Sequence, residues 1–245
     1  MNMTATPATV MKTSAALLLA LAAGGLQAQP TGSPLATPVP DTLAQRALAC
    51  TGCHGKEGRA APDGYYPRLA GKPAGYLYNQ LVNFRDGRRD YGLMSELIAP
   101  LSDAYLKELA GHFASLDLPY PPPQRPTASP AELTRAEQLI RQGDTTRRLP
   151  ACTACHGERL TGTQPAVPGL LGLSRDYLNG QLGAWRSGQR RAQAPDCMAA
   201  IAKALTEAEI NSMTQYLAAQ PLPRDTHPAP ELAAPPPVRC GGLAP

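Results

Sequence analysis

The strongest constraint on this chain is a five-residue pattern that occurs twice, Cys50-Thr51-Gly52-Cys53-His54 and Cys152-Thr153-Ala154-Cys155-His156. Two thiols separated by two residues and followed at once by histidine form the signature of covalent haem c attachment. The thiols make thioethers with the porphyrin, and the histidine lies under the iron as proximal ligand. A zinc site would want a second thiol pair close by. Here the second pair starts 102 residues after the first and brings its own histidine. A thioredoxin-like dithiol would sit in a βαβ pattern, and none is visible. The residues therefore predict two covalently attached haem c groups. Cys50, Cys53, Cys152 and Cys155 hold the porphyrins, His54 and His156 face the irons, and the rest of the chain is packaging.

That packaging is written twice. A short helix over Leu43 to Ala49 precedes the first motif, and one over Leu133 to Arg141 precedes the second. Each motif is followed by a Gly- and Pro-rich loop, with Pro67-Arg68-Leu69-Ala70-Gly71 matched by Pro168-Gly169-Leu170-Leu171-Gly172. Apolar residues at helical spacing then mark a helix over Tyr76 to Phe84 and another over Tyr177 to Trp185. Both end in glycine and arginines, Gly87-Arg88-Arg89 and Gly188-Gln189-Arg190-Arg191. A loop with one methionine follows, then a last helix, capped by Ser102 or Asp103 in the first copy and by a Thr206/Glu209 capping box in the second. This is one unit present in two copies. The expected fold is all-α, two tandem domains over residues 41–118 and 131–220, each wrapped around a haem. A proline-rich linker over 119–130 is semi-rigid and extended, and a proline-rich tail over 221–245 has no counterpart in the repeat. Units this small make thin cores, and the chain has only 2 Phe and 1 Trp. The haem supplies the missing apolar mass, so each unit is expected to be unfolded or molten without it.

The sixth iron ligand decides between chemistry and electron carriage. Beyond the N-terminal segment there are three methionines. Met94 lies seven residues before Leu101 and Met198 seven before Leu205, which makes them equivalent positions. Thioether ligation opposite histidine raises the reduction potential and leaves no open position. The alternative is two methionines filling core gaps. Met213 aligns with Leu109 inside the last helix and reads as core. His112 aligns with Tyr216 and reads as packing or surface, and His227 sits in the tail. Arg88, Arg89, Arg190 and Arg191 are either solvated or paired with haem propionates, which the guanidinium fork suits.

Lys12, an apolar run from Ala15 to Ala23 and a small-residue exit at Ala28 predict a signal peptide over 1–28, too short to span a membrane. A flexible leader follows over 29–40. Export to the periplasm suits covalent haem attachment and an oxidising compartment. There, the two remaining thiols, Cys197 and Cys240, are expected to pair and pin the tail beside Met198. The alternative is a Cys197 thiolate on the second iron. The formal net charge of +4 is too weak to argue for nucleic acid, and no basic-aromatic interleaving supports it.

The order of these segments, C-x-x-C-H, Pro-x-Leu-x-Gly, Tyr-x-x-x-Gln-Leu, a loop methionine and a final helix, resembles the diheme class I cytochromes of the cytochrome c4 type over about residues 41–220. The resemblance implies two cytochrome c domains with haem edges close together. It also implies that the carbonyls of Pro67 and Pro168 accept hydrogen bonds from the proximal histidines. The function it implies is periplasmic carriage of single electrons between respiratory donors and a terminal oxidase, with His54 and Met94 on one iron and His156 and Met198 on the other, and no catalytic residue. Partners are then redox proteins: a membrane quinol-oxidising complex, a terminal oxidase or a dehydrogenase, met through small transient interfaces. Peripheral membrane association stays open. The alternatives are a diheme redox enzyme of thiosulfate dehydrogenase or peroxidase type, and a cytochrome subunit of a dehydrogenase or oxidase complex. Cys197, Cys240 and the long tail depart from the family pattern.

Overall fold

A computed structural model describes residues 39–61 and 63–243. The expected signal peptide, and the leader as far as Pro38, lie outside them. Among the described residues there are ten α-helices and one short hairpin. In the first half, α1 (Leu43–Arg46) and α2 (Leu48–His54) break at Ala47, and α2 contains the first motif itself. They are followed by α3 (Ala74–Arg85), α4 (Gly92–Ile98) and α5 (Asp103–Ala114). The second half holds α6 (Pro130–Gln142), α7 (Thr153–His156), α8 (Arg175–Ser187), α9 (Cys197–Ala204) and α10 (Glu207–Ala219). Between α7 and α8 a hairpin pairs β1 (Gly162–Thr163) with β2 (Val167–Pro168).

Local chemistry sets these boundaries. Helix α6 starts three residues before the expected Leu133. Ser129 and Glu132 form a reciprocal capping box there, and Pro130 occupies the first helical position, where its missing N–H has no partner to lose. The Thr206/Glu209 box opens α10, and the Ser102 hydroxyl caps α5 by accepting from the Tyr105 N–H. The residue after each proximal histidine must turn the chain with positive φ. Gly55 (φ 75°) and Gly157 (φ 81°) do so, and a Cβ at Gly55 would run into the Ala60 carbonyl.

Both methionine segments differ from the expected loops. Met94 lies in the first turn of α4 and Met198 in the first turn of α9. The expectation failed because seven or eight residues are too few to show a helical period. The start of α9 is instead fixed by the Asp196 carboxylate, which accepts from the Ala199 N–H.

Each half builds its own core. In the second, Leu139 and Ile140 of α6 pack with Ile210, Met213 and Leu217 of α10, as expected for Met213. In the first, Leu77 of α3 packs with Leu109, Ala110 and Phe113 of α5, and Phe84 with Ile98 and Leu106. The linker has no regular structure before Pro130 and is tied down. Gln124 donates its N–H to the Ala218 carbonyl, and the buried Gln215 side chain accepts from the N–H groups of Thr127 and Ala128. Hydrogen bonds join the halves. Asp90 N–H donates to the Gln189 carbonyl at 3.1 Å, Gly75 N–H to the Pro165 carbonyl at 3.1 Å and the Ser174 hydroxyl to the Gly64 carbonyl at 2.6 Å.

Candidate haem sites

One continuous cavity of about 980 Å³ runs between the halves. Its wall includes Cys50, Cys53 and His54 from α2, and Cys152, Cys155 and His156 around α7. Met94 and Met198 also line it, as does Met213. The cavity thus brings together all eight residues singled out in the sequence. His112 and His227 do not line it. His112 packs edge-on to Phe113, and His227 is exposed beside Asp225 at 2.9 Å.

The two proximal histidines are held alike. His54 Nδ1–H donates to the Pro67 carbonyl at 2.9 Å, and His156 Nδ1–H to the Pro168 carbonyl at 2.7 Å. Such a bond fixes the ring's orientation and leaves Nε2 as the free lone pair. Burial pushes both imidazoles below their ordinary pKa, which keeps that lone pair unprotonated. The thiols behave oppositely. Burial raises Cys50 and Cys155, and pushes Cys152 up to about 12. Among the described residues no three His, Cys, Asp or Glu side chains converge as a metal-binding group. A zinc site has no donor set there.

Between the two motifs lies a cluster that follows the repeat. Arg89 and Arg190, opposite one another in an isolated antiparallel bridge, are only 9% and 5% exposed. Arg89 donates to Gln80 at 3.1 Å and to Gln181 across the interface at 2.6 Å. Arg190 donates to Gln181 at 2.8 Å and to Gln80 across the interface at 2.8 Å. The phenol oxygens of Tyr177 and Tyr76 accept more distantly, at 3.3 and 3.5 Å. Neither arginine has a carboxylate within ion-pair reach among the described residues. Two buried cations without counter-charge are expensive. Beside them, the Trp185 indole N–H is buried without a partner, and Arg190 lies over its ring at 3.7 Å.

These features test whether the residues fit haem c. The cavity is apolar, with thiols and histidine at one wall of each half and thioether sulfur available elsewhere. The unpaired guanidinium groups and the indole donor call for carboxylates, which the propionates of a haem supply. The residues fit. Of the four arginines left open in the sequence, Arg89 and Arg190 are the buried pair. Arg191 is exposed, and Arg88 pairs with Asp86 at 2.9 Å and with Asn83. The sequence reading gave no role to Gln80, Gln181 or Lys72. The glutamines recur in the repeated Tyr-x-x-x-Gln-Leu segment, which was their signal. Lys72, 4% exposed with its ammonium on the Gly169 carbonyl of the other half at 3.0 Å, left none.

No family model matches the chain. It is 38% identical over 176 residues to the thiosulfate dehydrogenase electron acceptor of Thiomonas intermedia, covering 72% of this chain and 80% of that protein. It is 32% identical over 174 residues to cytochrome c4 of Pseudomonas aeruginosa, covering 70% and 84%. The solved structure of reduced recombinant cytochrome c4 from Pseudomonas stutzeri superposes with a TM-score of 0.61 at 29% identity, over 72% of this chain and 95% of that one. Repeat, helices, cavity and relatives agree: the chain belongs to the diheme cytochromes of the cytochrome c4 type, electron-transport proteins with an all-α fold and two covalent haem c groups.

Proposed function

We propose that this protein is an exported carrier of single electrons, with His54 and Met94 on the first iron, His156 and Met198 on the second, and Cys50, Cys53, Cys152 and Cys155 as thioether anchors. The reading rests above all on one observation, the continuous cavity that both motifs and both methionines line. When bound, the haems supply one-electron redox chemistry. The chain's own residues do the rest. The prolyl carbonyls hold the imidazoles in register, the apolar wall would keep water from the porphyrins, Arg89 and Arg190 would neutralise propionates, and the Trp185 indole N–H would donate to one. A haem with histidine and thioether ligands has no open position and a raised potential, so it passes electrons and breaks no substrate bond. The units are then residues 41–118 and 131–220, joined by 119–130 and followed by the tail 221–245.

The Thiomonas relative's name suggests a donor. In this reading a thiosulfate-oxidising dehydrogenase of the periplasm delivers the electrons, and a terminal oxidase removes them. A catalytic reading needs an open or thiolate-ligated iron. Cys197 was the only residue favouring one, and it is bonded to Cys240. No described helix is long and apolar enough to cross a membrane.

The test is the weak near-infrared band of methionine-ligated ferric haem, calibrated per haem. Two haems' worth is expected, with Met94→Ala and Met198→Ala each removing half. One haem's worth in the unaltered protein, with a high-spin signature on the other, overturns the ligand assignment. Rapid haem reduction by a thiosulfate dehydrogenase supplied with thiosulfate supports the donor, and none at micromolar protein refutes it.

A further inference from the structure

The C-terminal tail has no counterpart in the repeat, and it runs back to the second methionine. From the end of α10 it first lies against the hairpin, where Gln164 N–H donates to the Ala229 carbonyl at 2.8 Å and Ala229 N–H to the Gly162 carbonyl at 2.9 Å. Its last described residues then enter the cavity wall, which includes Val238, Cys240, Gly242 and Leu243. Here the attachments concentrate. Cys240 is disulfide-bonded to Cys197, the first residue of α9 and the immediate neighbour of Met198. Gly241 N–H donates to the Pro195 carbonyl at 2.9 Å, and Gly241 lies so close to the carbonyls of Gln193 and Ala194 that no Cβ fits. The Gly242 carbonyl accepts from Asn79 Nδ2 of α3, in the first half, at 2.9 Å. The tail therefore grips the segment that leads directly into Met198, from Gln193 to Cys197, and ties it to the opposite half.

Among the described residues no disulfide lies beside Met94. Its helix α4 is preceded by Tyr91, which makes no side-chain cap bond, and Leu93 and Leu97 of the same helix are 68% and 45% exposed. The segments of two methionines in equivalent positions are thus held by different means, one beside a covalent cross-link and one by packing and the Ser95 hydroxyl's bond to the Phe84 carbonyl at 3.3 Å.

We propose that the tail is a thiol-controlled lock on the second haem. The Cys197–Cys240 bond holds the first turn of α9 so that Met198 stays on the iron. Opening that bond frees the turn and exposes a binding position for a small neutral ligand of ferrous iron, such as carbon monoxide. The opening step is a thiol–disulfide exchange. A dithiol supplies two electrons and two protons, the Cys197–Cys240 bond breaks to two thiols, and the reductant closes to its own cyclic disulfide. The proposal rests on the assignment of Met198 as a ligand, and the first haem is its internal control.

The experiment uses the full haem-loaded protein. Ferrous protein, with the haems reduced by ascorbate, is exposed to carbon monoxide with and without prior treatment with dithiothreitol. Alongside it, the ferric near-infrared band is measured for the C197S/C240S double variant. The expectation is less than about 0.1 carbon monoxide per protein with the disulfide intact and about one after dithiol treatment, with the variant's band falling from two haems' worth toward one. Unchanged binding and a full band in the variant overturn the lock while leaving Met198 as a ligand. Loss of the band at both haems also overturns it, because the bond is then a general staple. A one-haem band in the unaltered oxidised protein instead overturns the ligand assignment and the lock with it.

Discussion

Arg68 follows the prolyl carbonyl that holds His54, and its replacement by methionine gives a quantitative test of how the first site is fastened to the linker. The side chain is 3% exposed. Its guanidinium donates to the Ala70 carbonyl at 3.0 Å, to the Pro119 carbonyl at 2.9 Å and to the Leu118 carbonyl, and it stacks 3.8 Å from the Tyr120 ring. Methionine keeps much of the apolar stem and removes every donor. Ala70 is fully buried, so its orphaned carbonyl costs about 2 kcal/mol. Leu118 is half-buried and Pro119 exposed, so water takes over in part and each adds about 0.5–1 kcal/mol. Loss of the stacked cation adds about 1 kcal/mol. The sum is about 4 kcal/mol, a large share of the roughly 5–15 kcal/mol by which folded chains are stable. With a guanidinium m-value of about 4 kcal/mol/M, the unfolding midpoint of the ferric protein should fall by about 1 M. Far-UV circular dichroism and the Soret band report it together. Arg68→Lys should recover less than half, because an ammonium cannot reach three carbonyls in a fixed fork. A shift below about 0.3 M for Arg68→Met would refute the idea that this side chain ties linker to haem loop.

Two further predictions concern the junction and the core. Burial, with the Arg68 cation as a second cause, lowers the Lys72 pKa from 10.5 to about 7. The unfolded chain therefore holds more protons than the folded one between about pH 7 and 10, and stability should climb across that window. Comparing midpoints for Lys72→Met and the unaltered protein at pH 6.5 and 9.5 should show the lysine gaining on methionine at the higher pH. Parallel profiles would contradict this assignment. Leu139→Ala, at a position 1% exposed between α6 and α10, should lower stability by about 2–5 kcal/mol in denaturant unfolding and leave the first haem's spectrum unchanged.

The C-x-x-C-H motifs, the repeat and the pairing of Met94 with Met198 were legible because haem attachment needs particular residue types at fixed local spacing, and spacing survives in one dimension. Helices α3, α5, α8 and α10 were legible for a related reason: a half-buried helix shows its period in the chain, and the serine and threonine caps of α5 and α10 are local chemistry. The helical state of the methionine segments was not legible, because one or two turns carry too little periodicity. The pairing of Cys197 with Cys240, and with it the tail's place beside Met198, was open to inference from compartment and count, but the tail's contacts with the hairpin and with Asn79 of α3 were not. The meeting of Arg89 with Arg190, the crossing of Gln80 and Gln181, and the burial of Lys72 against Gly169 belong to the tertiary structure alone. Each depends on how two similar halves are set against each other. A charged side chain reads as a solvated surface residue until the fold removes it from water, and the fold does that here where polar groups distant in sequence meet its charge, as the glutamines do for Arg89 and Arg190 and the Gly169 carbonyl does for Lys72.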